Sequence, residues 1–437
     1  MKLAVVGAGS TYTPELVEGL ARRADRLPID ELALLDIDRE RLEVVGGLAR
    51  RMLAKVGWSG RLTPTGDRDR AMDGAGFVIV QLRVGGSRAR LLDETIPLKH
   101  GCIGQETTGP GGFMKALRTV PVVLELAEET ARRAAPGAWI VDFTNPTGLV
   151  TQALLDAGHR AVGLCNVAIT MQRELAGVFD VEPERVRLDH VGLNHLSWAR
   201  KVLVDGEDRL TAVIDALGGG DDADLRARIE GAAGTEHSAA LIRLLGALPS
   251  YYLRYYYDTD RVLQEQRAGH IRAKEVIEIE AGLLDLYRDP TLDTKPALLE
   301  RRGGAYYSEA AAMLVASMYD GAGDVQVANV RNAGAIPNLP EEDVVEISTQ
   351  VDRGGAHPLP TDPLGPEMLG LVQQVKAYER LAIEAARTGN RDRALVALMV
   401  NPLVRQYELA EALLADLLEA NRAYLPRFFP TGEPALP

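Results

Sequence analysis

Leu3-Ala4-Val5-Val6 runs directly into Gly7-Ala8-Gly9-Ser10, and Pro14-Glu15-Leu16-Val17-Glu18-Gly19-Leu20-Ala21 follows a few residues later. The first stretch has strand character, the second is a tight turn, and the third spaces its apolar residues helically behind a proline suited to a first turn. A second buried strand, Glu31-Leu32-Ala33-Leu34-Leu35-Asp36, ends on an acidic side chain and leads into an amphipathic helix through Leu42, Val45 and Leu48. Together these make a βαβ unit. Further short apolar runs at 77–82, 138–143 and 161–164, with helical stretches such as 120–134 between them, continue the alternation. Strands alternating with helices over about 165 residues predict a doubly wound parallel sheet of Rossmann type.

Beyond Cys165 the pattern changes to helical segments at 223–234, 239–248, 273–287, 367–388 and 393–424, with strand-like runs at 198–204 and 343–349. This predicts a second, mixed and helix-rich α/β domain, placing a cofactor domain at 1–170 and a substrate, metal and oligomerisation domain at 171–437. Gly218-Gly219-Gly220-Asp221-Asp222 reads as a mobile loop and Leu359-Pro360-Thr361-Asp362-Pro363-Leu364-Gly365-Pro366 as a rigid connection. A chain of 437 residues, 46% hydrophobic and 25% charged, has the composition of a soluble globular protein of two domains.

Lys plus Arg number 49 against 62 Asp plus Glu, a net charge of −13 that repels nucleic-acid phosphates and anionic membranes at long range. Any phosphate must therefore be captured locally by a few placed cations. Two cysteines, Cys102 and Cys165, suit a reducing compartment, and the apolar run at the N-terminus is cut by Gly7. A cytoplasmic protein without a membrane span is expected.

Between strand and helix, Gly7, Gly9, Ser10 and Thr11 sit where a backbone can approach a pyrophosphate and a helix N-terminus supplies unpaired N–H donors. Tyr12 occupies the place of the usual third glycine. Asp36, at the end of the second strand, can accept hydrogen bonds from an adenosine ribose and would repel a 2′-phosphate, which favours NAD over NADP. Cys165 and His195 offer a thiolate and an imidazole, a half-site for a divalent transition metal with positions left for substrate oxygens. Taken alone, a cysteine at the end of a buried strand is more often a core residue, and a lone histidine more often a hydrogen-bonded structural one. Five of the thirteen tyrosines fall within Tyr251-Tyr252-Leu253-Arg254-Tyr255-Tyr256-Tyr257, where phenols can pack or, beside a cation, serve as bases.

These segments, with Arg83-Val84-Gly85-Gly86, Ile96-Pro97-Leu98, Gly104-Gln105-Glu106-Thr107-Thr108-Gly109, Asn145-Pro146-Thr147-Gly148, Gly163-Leu164-Cys165-Asn166 and Gly192-Leu193-Asn194-His195, resemble glycoside hydrolase family 4 in order and spacing. Within it the chain is most similar to members acting on 6-phospho-β-glucosides. The resemblance implies a lactate/malate dehydrogenase-like fold, NAD and Mn²⁺ (or another divalent ion) as cofactors, and a homodimer or homotetramer. The substrate it implies is a phosphorylated disaccharide or an aryl glucoside.

The chemistry it implies differs from the two-carboxylate route. A hydride passes from sugar C3 to NAD⁺, Mn²⁺ on Cys165 and His195 polarises the ketone, a base takes the C2 proton, and the aglycone leaves from C1. Water then adds and the hydride returns. Tyr252 matches the family's base, with Tyr251 and Tyr255 as further candidates. Asn145 and Asn166 match residues that bind sugar hydroxyls, and Arg90 and Arg272 match a phosphate clamp. Members acting on 6-phospho-α-glucosides tend to carry Asp where this chain has Asn166, and an amide cannot protonate a leaving group, which argues for β-linked substrates. Two other readings fit the cofactor motif: an NAD-dependent 2-hydroxy-acid dehydrogenase, which needs no Cys–His metal pair, and a non-catalytic NAD-binding sensor, which needs no Tyr252 either.

Overall fold

A computed structural model describes residues 1–217, 223–229, 237–303 and 306–430. The glycine-rich stretch at 218–222, expected to be a mobile loop, lies outside these residues, as does the end of the helix expected to reach 234. Six strands, β1 (Lys2–Val6), β2 (Glu31–Leu35), β3 (Arg61–Thr65), β4 (Phe77–Val80), β5 (Trp139–Asp142) and β6 (Ala161–Gly163), pair in parallel in the order β6-β5-β4-β1-β2-β3. The near-continuous burial of all but the edge strand β3 is what helices on both faces of a parallel sheet require. The strand absent from the sequence reading is β3. Its Pro64 and exposed Arg61 disguise it, and both are tolerated because β3 is an edge.

The second half supplies β7 (Val186–Leu193) and β8 (Leu196–Val204), an antiparallel hairpin extended by the short β9 (Glu207–Asp208) and β10 (Leu248–Pro249). It also supplies β11 (Asp324–Arg331), β12 (Val344–Asp352) and β13 (Gly355–Pro358), which run antiparallel and continue the first sheet beyond β6 into one of nine strands. The helix expected over 393–424 is two, Arg391–Val400 and Tyr407–Ala420, broken at Asn401-Pro402 because proline cannot continue the first. The helix expected from residue 120 begins earlier, at Gly109, and runs to Arg133. Glycine is needed there: a Cβ on Gly111 would lie 2.2 Å from Gln105 O and 2.4 Å from Asp93 O. At Gly7, with φ +84°, a Cβ would lie 2.6 Å from Gln81 O, so the turn after β1 can press against the end of β4 only without a side chain.

Asp142, at the end of β5, is fully buried, with Thr144 N donating to it at 2.9 Å and Thr151 Oγ1 at 3.4 Å. Burial pushes its carboxyl up to about 8, against the pull of those threonines. The folded chain therefore holds a proton that the unfolded chain releases near its ordinary value of 3.8, and stability is lost as pH rises across that window. Asp142→Asn removes the titration. Its stability relative to the parent is expected to increase by up to about 1.4 kcal/mol per pH unit as pH rises toward 8, and to level off above that. Chemical denaturation of both proteins across this range checks it; a gap that does not change with pH contradicts it.

Candidate active site

The C-terminal ends of the parallel strands open on a cleft of about 1080 Å³, where ligands of doubly wound sheets bind. At one end lies the turn after β1. Gly7 N and Ala8 N both donate to Leu35 O at 2.9 Å, and Gly9 N donates to Asp36 Oδ2 at 2.6 Å, so the turn and the acidic residue form one unit. Gly7, Gly9, Ser10 and Asp36 line the cleft. Thr11 does not: it is fully buried, and its carbonyl accepts from Tyr287 Oη at 2.7 Å, tying the turn to the helix Arg272–Tyr287. Tyr12 lines the cleft beneath the guanidinium of Arg302, 4.3 Å from its ring centroid, and Arg302 in turn pairs with Glu280.

At the other end Cys165 follows β6 and occupies the position just before the helix Asn166–Phe179, while His195 sits in the turn between β7 and β8. Cys165 Sγ and His195 Nε2 are 3.5 Å apart, and both residues are buried. His195 holds φ +63°, a left-handed conformation that costs a non-glycine residue on the order of 1 kcal/mol and is concentrated at functional sites. Burial pushes the Cys165 thiol up, reinforced by Glu346. It pushes His195 down to about 4, against the opposing pull of Glu346, so the imidazole is neutral with a lone pair to give. Two such donors at this separation can share one ion at metal–ligand distances of about 2.0–2.3 Å. Among the described residues no group of three or more His, Cys, Asp and Glu is arranged to hold a metal, so Cys165 and His195 are the pair that would hold one. Asn145 Oδ1 is buried without a hydrogen-bond partner in the same cleft, an acceptor of the kind that a sugar hydroxyl would satisfy.

Tyr252 stacks on His195, ring centroids 3.6 Å apart and planes 9° off parallel. Burial, then the neighbouring Cys165 and Glu106, hold its phenol well above the ordinary tyrosine range. Tyr255 is buried in an apolar cluster with Ile103 and Val262, and Tyr251 is partly exposed at the cleft wall. Asn166, next to Cys165, also lines the cleft.

Arg90 and Arg272 reach the same cleft by different routes. Arg90 is buried, its Nε bonded to Glu94 Oε1 at 2.8 Å and its Nη1 3.1 Å from Glu106 Oε1. Arg272, at the first turn of its helix, is more exposed, paired with Glu275 and donating to Arg301 O at 2.7 Å. Glu94 joins the two, since its Oε2 accepts from Ala273 N at 2.7 Å.

Two carboxylates that the sequence reading did not single out organise this end. Glu106 accepts from Lys115 Nζ at 2.8 Å and pairs with Arg83 and Arg90. These three cations outweigh its burial and hold it well below the usual carboxylate range. Its signal was its place in Gly104-Gln105-Glu106-Thr107-Thr108-Gly109, a segment too distinctive for a connector. Glu346, buried on β12, accepts from Asn194 Nδ2 at 2.9 Å, Asn329 Nδ2 at 3.2 Å and Ser197 Oγ at 3.2 Å, with His190 Nε2 3.1 Å away. A lone charge inside the apolar run Val344-Val345-Glu346-Ile347 was its only trace.

The sequence matches the Family 4 glycosyl hydrolase pattern over residues 2–181 and that of the family's C-terminal domain over residues 190–404. The chain belongs to glycoside hydrolase family 4. Among family 4 proteins, a probable 6-phospho-β-glucosidase of Bacillus subtilis is 44% identical over 437 residues, with 98% of each chain covered. The structure of the 6-phospho-β-glucosidase from Thermotoga maritima with manganese, NAD⁺ and glucose-6-phosphate superposes with a TM-score of 0.89 at 37% identity, covering 97% of this chain and 99% of that one. Malate dehydrogenase from Plasmodium falciparum, at 13% identity and a TM-score of 0.53 over 89% of this chain and 98% of its own, shares the fold alone. The family and the dehydrogenase-like fold expected from the sequence are thus both found.

Proposed function

We propose that the protein hydrolyses 6-phospho-β-glucosides to glucose 6-phosphate and an aglycone, with NAD⁺ and Mn²⁺ or another divalent ion as cofactors. The observation that carries this reading is the Cys165–His195 pair with Tyr252 stacked on it, in one cleft with a dinucleotide-type turn. When bound, NAD⁺ accepts a hydride from sugar C3 and the ion polarises the resulting ketone, which acidifies the C2 proton. Cys165 and His195 hold the ion. The Tyr252 Oη takes the C2 proton, and its ring on His195 keeps it beside the metal pair. Gly7, Gly9, Ser10, Thr11 and Asp36 hold the cofactor, Thr11 by supporting the turn rather than by contact.

Arg90 and Arg272 bind the 6-phosphate, supplying locally the positive charge that a chain of net charge −13 lacks overall. Asn145 and Asn166 orient the sugar hydroxyls, and Asn166, unable to donate a proton as an acid, suits a β-linked leaving group. The substrate is a phosphorylated disaccharide or an aryl glucoside. In this reading residues 1–170 carry the cofactor and 171–437 the substrate, metal and oligomer contacts of a cytoplasmic homodimer or homotetramer. The net charge of −13 opposes nucleic acids and anionic membranes as partners.

The test is turnover of a chromogenic 6-phospho-β-glucoside with NAD⁺ and Mn²⁺ present, followed together with absorbance of NADH. Product is expected to accumulate over many turnovers with no net NADH, because the hydride is returned in each cycle. One NADH per product would mean that the hydride is not returned and would contradict the cycle, and no product at all would favour the 2-hydroxy-acid dehydrogenase or the non-catalytic NAD-binding reading.

A further inference from the structure

We infer that Tyr251 is the platform on which the ring of the departing aglycone lies, an inference that rests on the proposed hydrolysis. Three tyrosines of one short segment meet ring against ring. Tyr251 stands nearly perpendicular to Tyr252, with centroids 5.6 Å apart at 88°, and to Tyr255, at 6.4 Å and 89°. Burial separates their roles. Tyr255 is 7% exposed and belongs to an apolar cluster, Tyr252 is committed to the face of His195, and Tyr251 is 37% exposed on the cleft wall.

An exposed aromatic ring is ordinarily mobile, but this one is anchored. Arg254 Nη1 donates to Tyr251 Oη at 3.2 Å, its guanidinium lies 5.4 Å from the ring centroid, and its Nη2 bonds Glu265 Oε2 at 2.6 Å. The helix Thr259–Arg267 that carries Glu265 is itself fastened to the segment bearing Glu106: Gln266 Nε2 donates to Gly104 O at 2.7 Å and Gly104 N donates to Gln266 Oε1 at 3.0 Å. A ring held in place while still exposed loses little freedom when something settles on it.

Connectivity of the sugar says what that something is. C1, which bears the aglycone, is bonded to C2, whose proton Tyr252 takes, whereas the phosphate on C6 lies at Arg90 and Arg272. The aglycone therefore leaves beside Tyr252, and the exposed ring beside Tyr252 is Tyr251. A phenol face suits either an aryl ring or the apolar C–H face of a second pyranose, and offers nothing to a methyl aglycone.

The experiment compares kcat/KM of the holoenzyme and of its Tyr251→Ala and Tyr251→Phe variants on three 6-phospho-β-glucosides: phenyl, β-glucosyl and methyl. With Tyr251→Ala the preference for ring-bearing over methyl substrate is expected to fall about tenfold, mostly through KM, while Tyr251→Phe keeps that preference within about twofold. A fall for the phenyl substrate, the β-glucosyl substrate or both supports the platform and shows which ring it takes. Equal losses on all three substrates with Tyr251→Ala overturn it, and so does a Tyr251→Phe variant whose kcat on the methyl substrate falls about tenfold or more below that of the parent, because the phenol then acts on protons. No turnover of any substrate by the parent enzyme would remove the hydrolytic reading itself, a failure distinct from a lost preference.

Discussion

Tyr252→Phe is expected to lower kcat by ~10²–10⁴-fold, the contribution of a positioned acid–base group, while NAD⁺ affinity stays nearly unchanged. The substitution keeps the ring that stacks on His195 at 3.6 Å and removes only the phenolic oxygen, so packing around the metal pair is preserved. The cofactor turn is formed elsewhere, by Gly7, Gly9 and Asp36, and does not feel the change. Burial and the nearby Cys165 and Glu106 hold the phenol well above the ordinary tyrosine range, so it becomes a base only with positive charge beside it. Steady-state kinetics with and without saturating substrate, together with NAD⁺ titration, check the expectation. A near-normal rate would move the base to another group, such as Tyr251 or Tyr255, both of which line the same cleft.

Cys165→Ala is expected to have an effect at least as large on the metal. The chain offers two ligands 3.5 Å apart, and among the described residues there is no third His, Cys, Asp or Glu arranged to compensate. Removing a group that only orients a metal ligand typically costs about 10–100-fold in metal affinity, so loss of one of two ligands should cost more than roughly 10²-fold. Titration with Mn²⁺ followed by calorimetry is the readout. Turnover should fall with the affinity and recover in part at high Mn²⁺, while chelation of the parent enzyme should abolish turnover without releasing NAD⁺. Unchanged Mn²⁺ affinity in the variant, or undiminished hydrolysis after exhaustive chelation, would take the ion away from Cys165.

What the sequence disclosed follows the range over which each feature is encoded. The strand–turn–helix at Leu3 to Ala21 and Asp36 on the next strand are local patterns, and they fold as read, with Gly9 N and Asp36 Oδ2 2.6 Å apart. The antiparallel strands β11 to β13 were not assigned to the first sheet, because a strand's own residues do not say which edge it will join. Cys165, His195 and Tyr252 lie on three separate elements, and nothing in their spacing alone requires a thiol, an imidazole and a phenol to meet. They were legible only as motifs of a family.

The carboxylates were hardest to read. Glu106 owes its significance to Arg83, Arg90 and Lys115 closing on it, and Glu346 to donors from β7, β8 and β11 and the turn between β7 and β8. Such convergence exists only in the folded chain. Arg90 and Arg272 were matched to a phosphate clamp only through family motifs; in the fold both line one cleft, where Glu94 bonds to Arg90 Nε and to Ala273 N.

The central claim is that a C2–H bond breaks during hydrolysis and that Tyr252 receives the proton. Turnover of a 6-phospho-β-glucoside in D₂O, with the glucose 6-phosphate examined by NMR, tests it most directly. The account predicts deuterium at C2 of the product, because the proton taken by Tyr252 exchanges with solvent before one is returned. Product with hydrogen retained at C2 would mean that the aglycone is displaced at C1 without any proton abstraction, and would contradict the account.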